Sequence, residues 1–180
     1  MYKTFCLFLL LFFSFLVSCT NNKEPNLEHT TPNGPTIALT VAVLGNSKYP
    51  AIPRVSYVNV GFNDLNQKNS RTFDGLIVSK EYFEEAAQPM NKEFLKHIKY
   101  PVFFIGAEEI STAAFYVDGL ALDQIKGDDT YASGFVRTEQ GEYKTWGLGL
   151  PNEPTDTDKG LNILVRICNI LQEYKISKKP

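Results

Sequence analysis

The sequence predicts an α/β domain over residues 36–180, a single unit with a mixed sheet of about six strands. Its expected parts are a central parallel βαβ unit, a β-hairpin towards the C-terminus and a buried final helix. Three observations carry this. Residues 73–106 run from a short apolar segment through a helical pattern to a second short apolar segment, the signature of a βαβ unit. Residues 37–44 and 100–105 are near-continuously apolar rather than alternating, as strands covered on both faces are. Finally, Leu161, Leu164, Val165, Cys168 and Leu171 recur at helical spacing, and Ile163, Ile167, Ile170 and Tyr174 widen the stripe beyond one face.

Each element has its own warrant. The first strand, 37–44, ends at Gly45, and Pro50 and Pro53 exclude a helix from the connection that follows. Residues 55–62, rich in Val and Tyr, form a second strand, and 63–70 a polar loop with at most a short helical turn. A strand over 73–78 leads to Ser79, which stands at a helix N-cap with Glu81 in the first turn. That helix, through Phe83 and Ala87, stops or kinks at Pro89 and resumes from about Asn91 to Ile98. The strand over 100–105 closes at Gly106, and 113–117 is expected as a further strand. Residues 131–138 and 143–148 flank a turn in which Gly141 takes the left-handed position. Thr157 or Asp158 caps the final helix. There is no internal repeat.

Composition narrows the function classes. The chain has 180 residues, 43% apolar and 21% charged, an ordinary globular mixture with room for one core. A formal net charge of −2 gives no footprint for nucleic acid. The densest basic patch, Lys175, Lys178 and Lys179, reads as a solvated terminus. Cys168 has core spacing and no histidine partner, and His97 sits beside Lys96 and Lys99 on a solvated helix face. No glycine-flanked serine forms a nucleophile elbow; Ser133 lies in a strand without the required sharp turn. Gly147-Leu148-Gly149 is followed by Leu150-Pro151 rather than a helix, so it is no phosphate loop. Glu81, Glu84 and Glu85 share one helix. Asp118, Asp123, Asp128 and Asp129 lack the alternation of a calcium loop, and Glu153, Asp156 and Asp158 precede the last helix as capping residues. No cofactor and no metal site is expected.

The fold itself directs attention to one place. Open parallel sheets bind ligands beyond the carboxyl ends of their strands. Those ends present Asn46 and Ser47, then Ser79 and Lys80, then Glu108 and Glu109. If the sheet is parallel at its centre, these residues share an edge and suit a small polar or zwitterionic ligand rather than a polymer. Ser79 and the free N–H groups of the following helix would take a negative portion of it.

The N-terminus supplies an address. After Lys3, residues 5–17 are apolar except for Cys6 and Ser14. As a helix they reach about 20 Å, short of the ~30 Å hydrocarbon core, which is the pattern of a secretory signal rather than a span. Leu16-Val17-Ser18-Cys19 resembles the lipobox of bacterial lipoprotein precursors at every position. The resemblance covers residues 1–19. It implies lipid attachment at the Cys19 thiol and cleavage between Ser18 and Cys19, so that 1–18 is the signal peptide. Two or three acyl chains anchor stably where one does not. Thr20 is not the aspartate that tends to retain such proteins at the inner membrane. Residues 19–35 then form the lipidated cysteine and a tether rich in Asn, Pro and Gly, with His29 solvated inside it. Cys6 leaves with the signal and Cys19 carries lipid, so Cys168 has no disulfide partner.

The expected function is therefore that of a lipid-anchored extracytoplasmic lipoprotein at the cell membrane, with a non-catalytic ligand-binding or accessory domain. Its partners are the membrane and a small polar ligand or an envelope protein. Two alternatives stand beside it. One is an envelope hydrolase using Asp or Glu as acid and base. The other is a structural interaction module that displays Tyr143 and Trp146 on the hairpin.

Overall fold

A computed structural model describes residues 32–65 and 73–178. The signal peptide, Cys19 and most of the tether lie outside the described residues. Six strands form one sheet: β1 (Leu39–Leu44), β2 (Val55–Val60), β3 (Gly75–Ser79), β4 (Val102–Ile105), β5 (Ala132–Arg137) and β6 (Tyr143–Leu148). Their spatial order is β2-β1-β3-β4-β5-β6. The first four are parallel; β5 pairs antiparallel to β4 and β6 antiparallel to β5, forming a hairpin with its turn at Gly141. The helices are α1 (Phe62–Leu65), α2 (Phe83–Ala86), α3 (Pro89–His97) and α4 (Ile163–Ser177). Among the described residues no helix is long and apolar enough to cross a membrane.

The two-sided apolar strands read from the sequence are covered on both faces. On one face Ala42, Leu44, Leu76, Val78 and Phe104 pack against α1, α2 and α3 through Phe62, Phe83 and Leu95. On the other, Leu39, Val41, Ile77 and Phe103 pack against α4 through Ile163, Leu164, Ile167, Cys168 and Leu171. The connection from β1 to β2 belongs to the second face, where Ile52 and Tyr49 join the core, whereas the connections from β2 to β3 and from β3 to β4 cross the first. Moving outward over one face and back over the other keeps all three parallel crossovers of one hand.

Three local expectations are corrected. Residues 113–117 are not a strand: Thr112–Phe115 is one turn of 3-10 helix. The place beside β4 is taken by β5, and the turn instead drives the fully buried Phe115 ring between Phe83 and Phe104, stacked at 3.8 Å on the latter. Ser79 leads into a three-residue 3-10 turn, Lys80–Tyr82, ahead of α2, and its side chain makes no cap hydrogen bond. The cap of the last helix is Thr155. Its N–H and hydroxyl donate to the Asp158 carboxylate at 2.9 and 2.6 Å, and the Asp158 N–H donates back to Thr155 Oγ1 at 3.2 Å. This is a capping box one turn earlier than the apolar stripe suggests. Pro89 does divide the β3–β4 helix, sitting at the first turn of α3 where a missing N–H is harmless.

The N-terminal segment is tied to α4. Gln172 Oε1 accepts from the Thr36 and Ile37 N–H groups, and Lys175 Nζ donates to Ala38 O and bridges Asp74 at 2.9 Å. Asp74 in turn accepts from the Thr40 N–H.

Leu164 is 1% exposed, so Leu164→Ala should cost about 2–5 kcal/mol in denaturant unfolding under reducing conditions; a loss below about 0.5 kcal/mol would contradict the burial of α4. A second expectation concerns alkaline pH. Burial raises the Cys168 thiol from its ordinary 9.0 to about 11, with the neighbouring Tyr57 hydroxyl acting in the opposite direction. The folded thiol keeps its proton where the unfolded one loses it. Stability is therefore complete below about pH 9 and falls as pH rises towards 11. Tyr100, pushed up to about 12 by burial, extends the loss above pH 10. Unfolding at several pH values checks this, and Cys168→Ala should flatten the first part of the fall.

Candidate functional site

The two crossovers that leave β1 and β3 depart to opposite faces, which opens a crevice between the carboxyl ends of those strands. A cleft of about 470 Å³ lies there, of a size suited to a small molecule. Four of the six residues expected at this edge line it: Ser47, Ser79, Lys80 and Glu108. Asn46 and Glu109 do not. Asn46 is exposed beside the cleft, its side chain accepting from Asn59 Nδ2 at 3.0 Å, and Glu109 is exposed with its carbonyl accepting from the Gly127 N–H.

Gly45 makes the turn into this region possible. Its φ is +82°, and a Cβ built there would lie 1.9 Å from the Tyr82 ring. Tyr82 is thereby brought over the chain, and its hydroxyl accepts from the Asn46 N–H at 3.3 Å. The Ser47 hydroxyl can then reach the loop after β3.

The interior of the cleft is a chain of hydroxyl groups. Tyr49 and Ser79 share a hydrogen bond of 2.6 Å, Ser79 and Ser47 one of 3.2 Å, and Ser47 donates to Glu81 at 3.1 Å. Tyr131, at the start of β5, completes the wall with Glu108. The opposite wall comes from a single π-helical turn, Asp158–Asn162, which contributes Lys159 and Gly160 ahead of α4. Ile105 and Leu164 give the cleft an apolar portion.

Burial, foremost, raises the Tyr49 hydroxyl above its ordinary 10.0, with Ser79 opposing and Glu81 reinforcing the shift. Tyr131 is raised by burial and by the Glu108 charge. Both phenols therefore stay protonated. The short Tyr49–Ser79 contact has the geometry of a base and a nucleophile, but a phenol held above its usual range is a poor base for a serine. The arrangement is fitted to donate hydrogen bonds. With Lys80 and Lys159 among the lining residues beside Glu81 and Glu108, both signs of charge are available to a bound molecule.

The expected anion site on helix N–H groups is not present in that form. The segment after Ser79 is a three-residue turn and a four-residue helix, and the Ser79 hydroxyl is directed to Tyr49 and Ser47.

Sequence reasoning missed Tyr49, Glu81, Tyr131, Lys159 and Gly160 as cleft residues. Tyr131 was legible in principle, since a strand antiparallel to β4 must begin at the edge where β4 ends. Tyr49 and Lys159 were not, because their elements are placed by packing.

Other candidates are accounted for elsewhere. A depression of about 600 Å³ between α3 and residues 118–121 has its polar groups paired internally: Lys92 Nζ donates to Leu120 O, and Asp118 bridges Lys96. Among the described residues no three His, Cys, Asp or Glu side chains are gathered to hold a metal. Tyr143 and Trp146 do not form one exposed patch. Tyr143 stacks on Tyr116 and packs against the first core, whereas Trp146 lies against Phe103 in the second.

Gly45→Ala should destabilise the domain by about 1–3 kcal/mol, since it combines a left-handed φ with a clash against Tyr82. Thermal unfolding reads this, and an unchanged midpoint would remove Tyr82 and Gly45 as the clamp on the cleft loop. Comparison of the chain with protein-family models, curated proteins and solved structures returns no match, so the reading of the cleft rests on its own geometry.

Proposed function

We propose that the protein is a lipid-anchored extracytoplasmic lipoprotein whose domain binds a small polar or zwitterionic ligand in this cleft, without chemistry of its own. The observation that carries the binding half is the convergence of Ser47, Ser79, Lys80 and Glu108 from separate strand ends around two protonated tyrosines. Hydroxyl donors, two lysines and two glutamates suit a molecule bearing both charges, and Ile105 and Leu164 suit its apolar part. The lipobox resemblance of residues 16–19 supports the anchor. Chain direction supports the combination. The polypeptide enters at the amino end of β1, and the cleft lies at the carboxyl end. A tethered domain can therefore present its cleft away from the bilayer.

The hydrolase reading keeps one point in its favour, the presence of Glu81 and Glu108 in the same cleft. Turnover of wall or lipid fragments that disappears in both Glu81→Gln and Glu108→Gln would establish it over simple binding.

Two measurements test the main proposal. Cys19→Ala should abolish incorporation of a fatty-acid analogue and block processing; equal label in the variant would overturn the anchor. Native mass spectrometry of the purified chain should show a co-purified small molecule. Tyr49→Phe and Ser79→Ala should each weaken its binding by about tenfold, the loss of one hydrogen bond. Unchanged binding in both variants would place the ligand elsewhere.

A further inference from the structure

We infer that the amino edge of the sheet is a basic face that docks on an anionic phospholipid surface; the inference rests on the lipid-anchor proposal for the domain's proximity to the bilayer. Arg54 precedes β2, its carbonyl accepting from the Leu39 N–H, and Lys99 lies just ahead of β4. Arg137 and Lys144 occupy the ends of β5 and β6 that run down to the same edge. Lys175 and Lys178 are at the end of α4, with Lys178 Nζ donating to Lys99 O at 2.9 Å. Against these cations stand Asp74, already bridged to Lys175, Glu173 in the last turns of α4, and Glu139 and Glu142 in the hairpin turn, four carboxylates to six cations.

The opposite edge has the reverse balance. Asp64, Glu81, Glu108 and Glu109 follow strand ends there, Asp128 precedes β5 and Asp156 begins the last helical segment, against Lys48, Lys80, Lys126 and Lys159. The chain's small net charge thus conceals a separation along the strand direction. Lysines at a helix C-terminus complement its dipole, which accounts for Lys175 and Lys178. It does not account for Arg54, Lys99, Arg137 or Lys144, which belong to other elements. Ile176, 50% exposed between the two helix-end lysines, adds an apolar side chain at this edge.

The occupant is argued from where the chain enters. Residues 33–38 lie against α4 at the basic edge, with Asn33 O accepting from Asn169 Nδ2. Between Cys19 and Pro32 the sequence allows a coil of about 20 Å root-mean-square span. A lipid-anchored domain on that coil keeps its basic edge within reach of the headgroups at high local concentration, so a weak attraction suffices. Docking this way holds the cleft one strand length, about 20 Å, from the surface.

Trp146 is the only tryptophan in the sequence, and it reports the height of the domain. The full chain, isolated from membranes and reconstituted in vesicles containing dansyl-phosphatidylethanolamine, should show greater Trp-to-dansyl transfer with phosphatidylglycerol than with phosphatidylcholine alone. The excess should vanish in 1 M salt, where the screening length is about 3 Å. It should also vanish in Lys99→Glu/Lys178→Glu, and persist in Lys48→Glu/Lys126→Glu at the opposite edge. Equal, salt-insensitive transfer in both vesicle types overturns the docking and leaves the anchor standing. A chain recovered without lipid in the soluble fraction overturns the anchor instead. Docking is then supported by low-salt co-sedimentation with anionic but not neutral vesicles, and overturned by its absence.

Discussion

The structure depends on the close seating of α4 across β1 and β3. A Cβ at Gly75 would lie 2.6 Å from Leu171, so the helix approaches the sheet more closely there than a larger residue would permit. This contact buries the Ile163–Leu171 stripe and closes the second core cluster. Because α4 runs from the carboxyl edge of the sheet to its amino edge, one packed element has two ends with different tasks. Its first turn brings Leu164 to the cleft, and the π-helical turn just ahead of it brings Lys159. Its last turns receive the entering chain through Gln172 and Lys175. Loosening the helix would affect the core, the site and the entry segment together.

The cleft is a product of topology before it is one of side chains. Strand order β2-β1-β3 obliges the crossovers on either side of β1 to use opposite faces, and no packed element can then cover the ends between them. What fills that gap is polar because it is solvent-facing, and ordered because its hydroxyls bond one another in series from Tyr49 to Glu81. The same burial that raises both tyrosines makes the site a set of donors rather than a set of bases.

Much of this architecture was legible in the residues. Two-sided apolar runs announced β1, β3 and β4, and the strand–helix–strand alternation announced their parallel arrangement. Proline at 89 placed the helix break, and Gly141 the hairpin turn. The 113–117 segment misled because an apolar pentapeptide has no periodicity that separates a strand from a single turn. Its structure was decided by a vacancy in the packing that a Phe115 ring could fill, and by β5 taking the place at the β4 edge. The final cap misled for a similar reason. The apolar stripe marks where a helix is buried, while Thr155 and Asp158 mark where its hydrogen bonds begin, one turn earlier.

By itself the sequence determined the class of fold, the six strands that form the sheet and the final helix, because these follow from local periodicity and from what each residue permits its own backbone. It also placed Ser47, Ser79, Lys80 and Glu108 at one edge, since strand ends in a parallel sheet fall together whatever lies between them. Only the tertiary structure decided that Tyr49 and Lys159 stand with them. Their positions depend on how a proline-bearing crossover and a π-helical turn pack around the others. The separation of charge between the two edges was equally hidden. In sequence the cations and carboxylates are interspersed, and the directions of the strands and of α4 sort them in space.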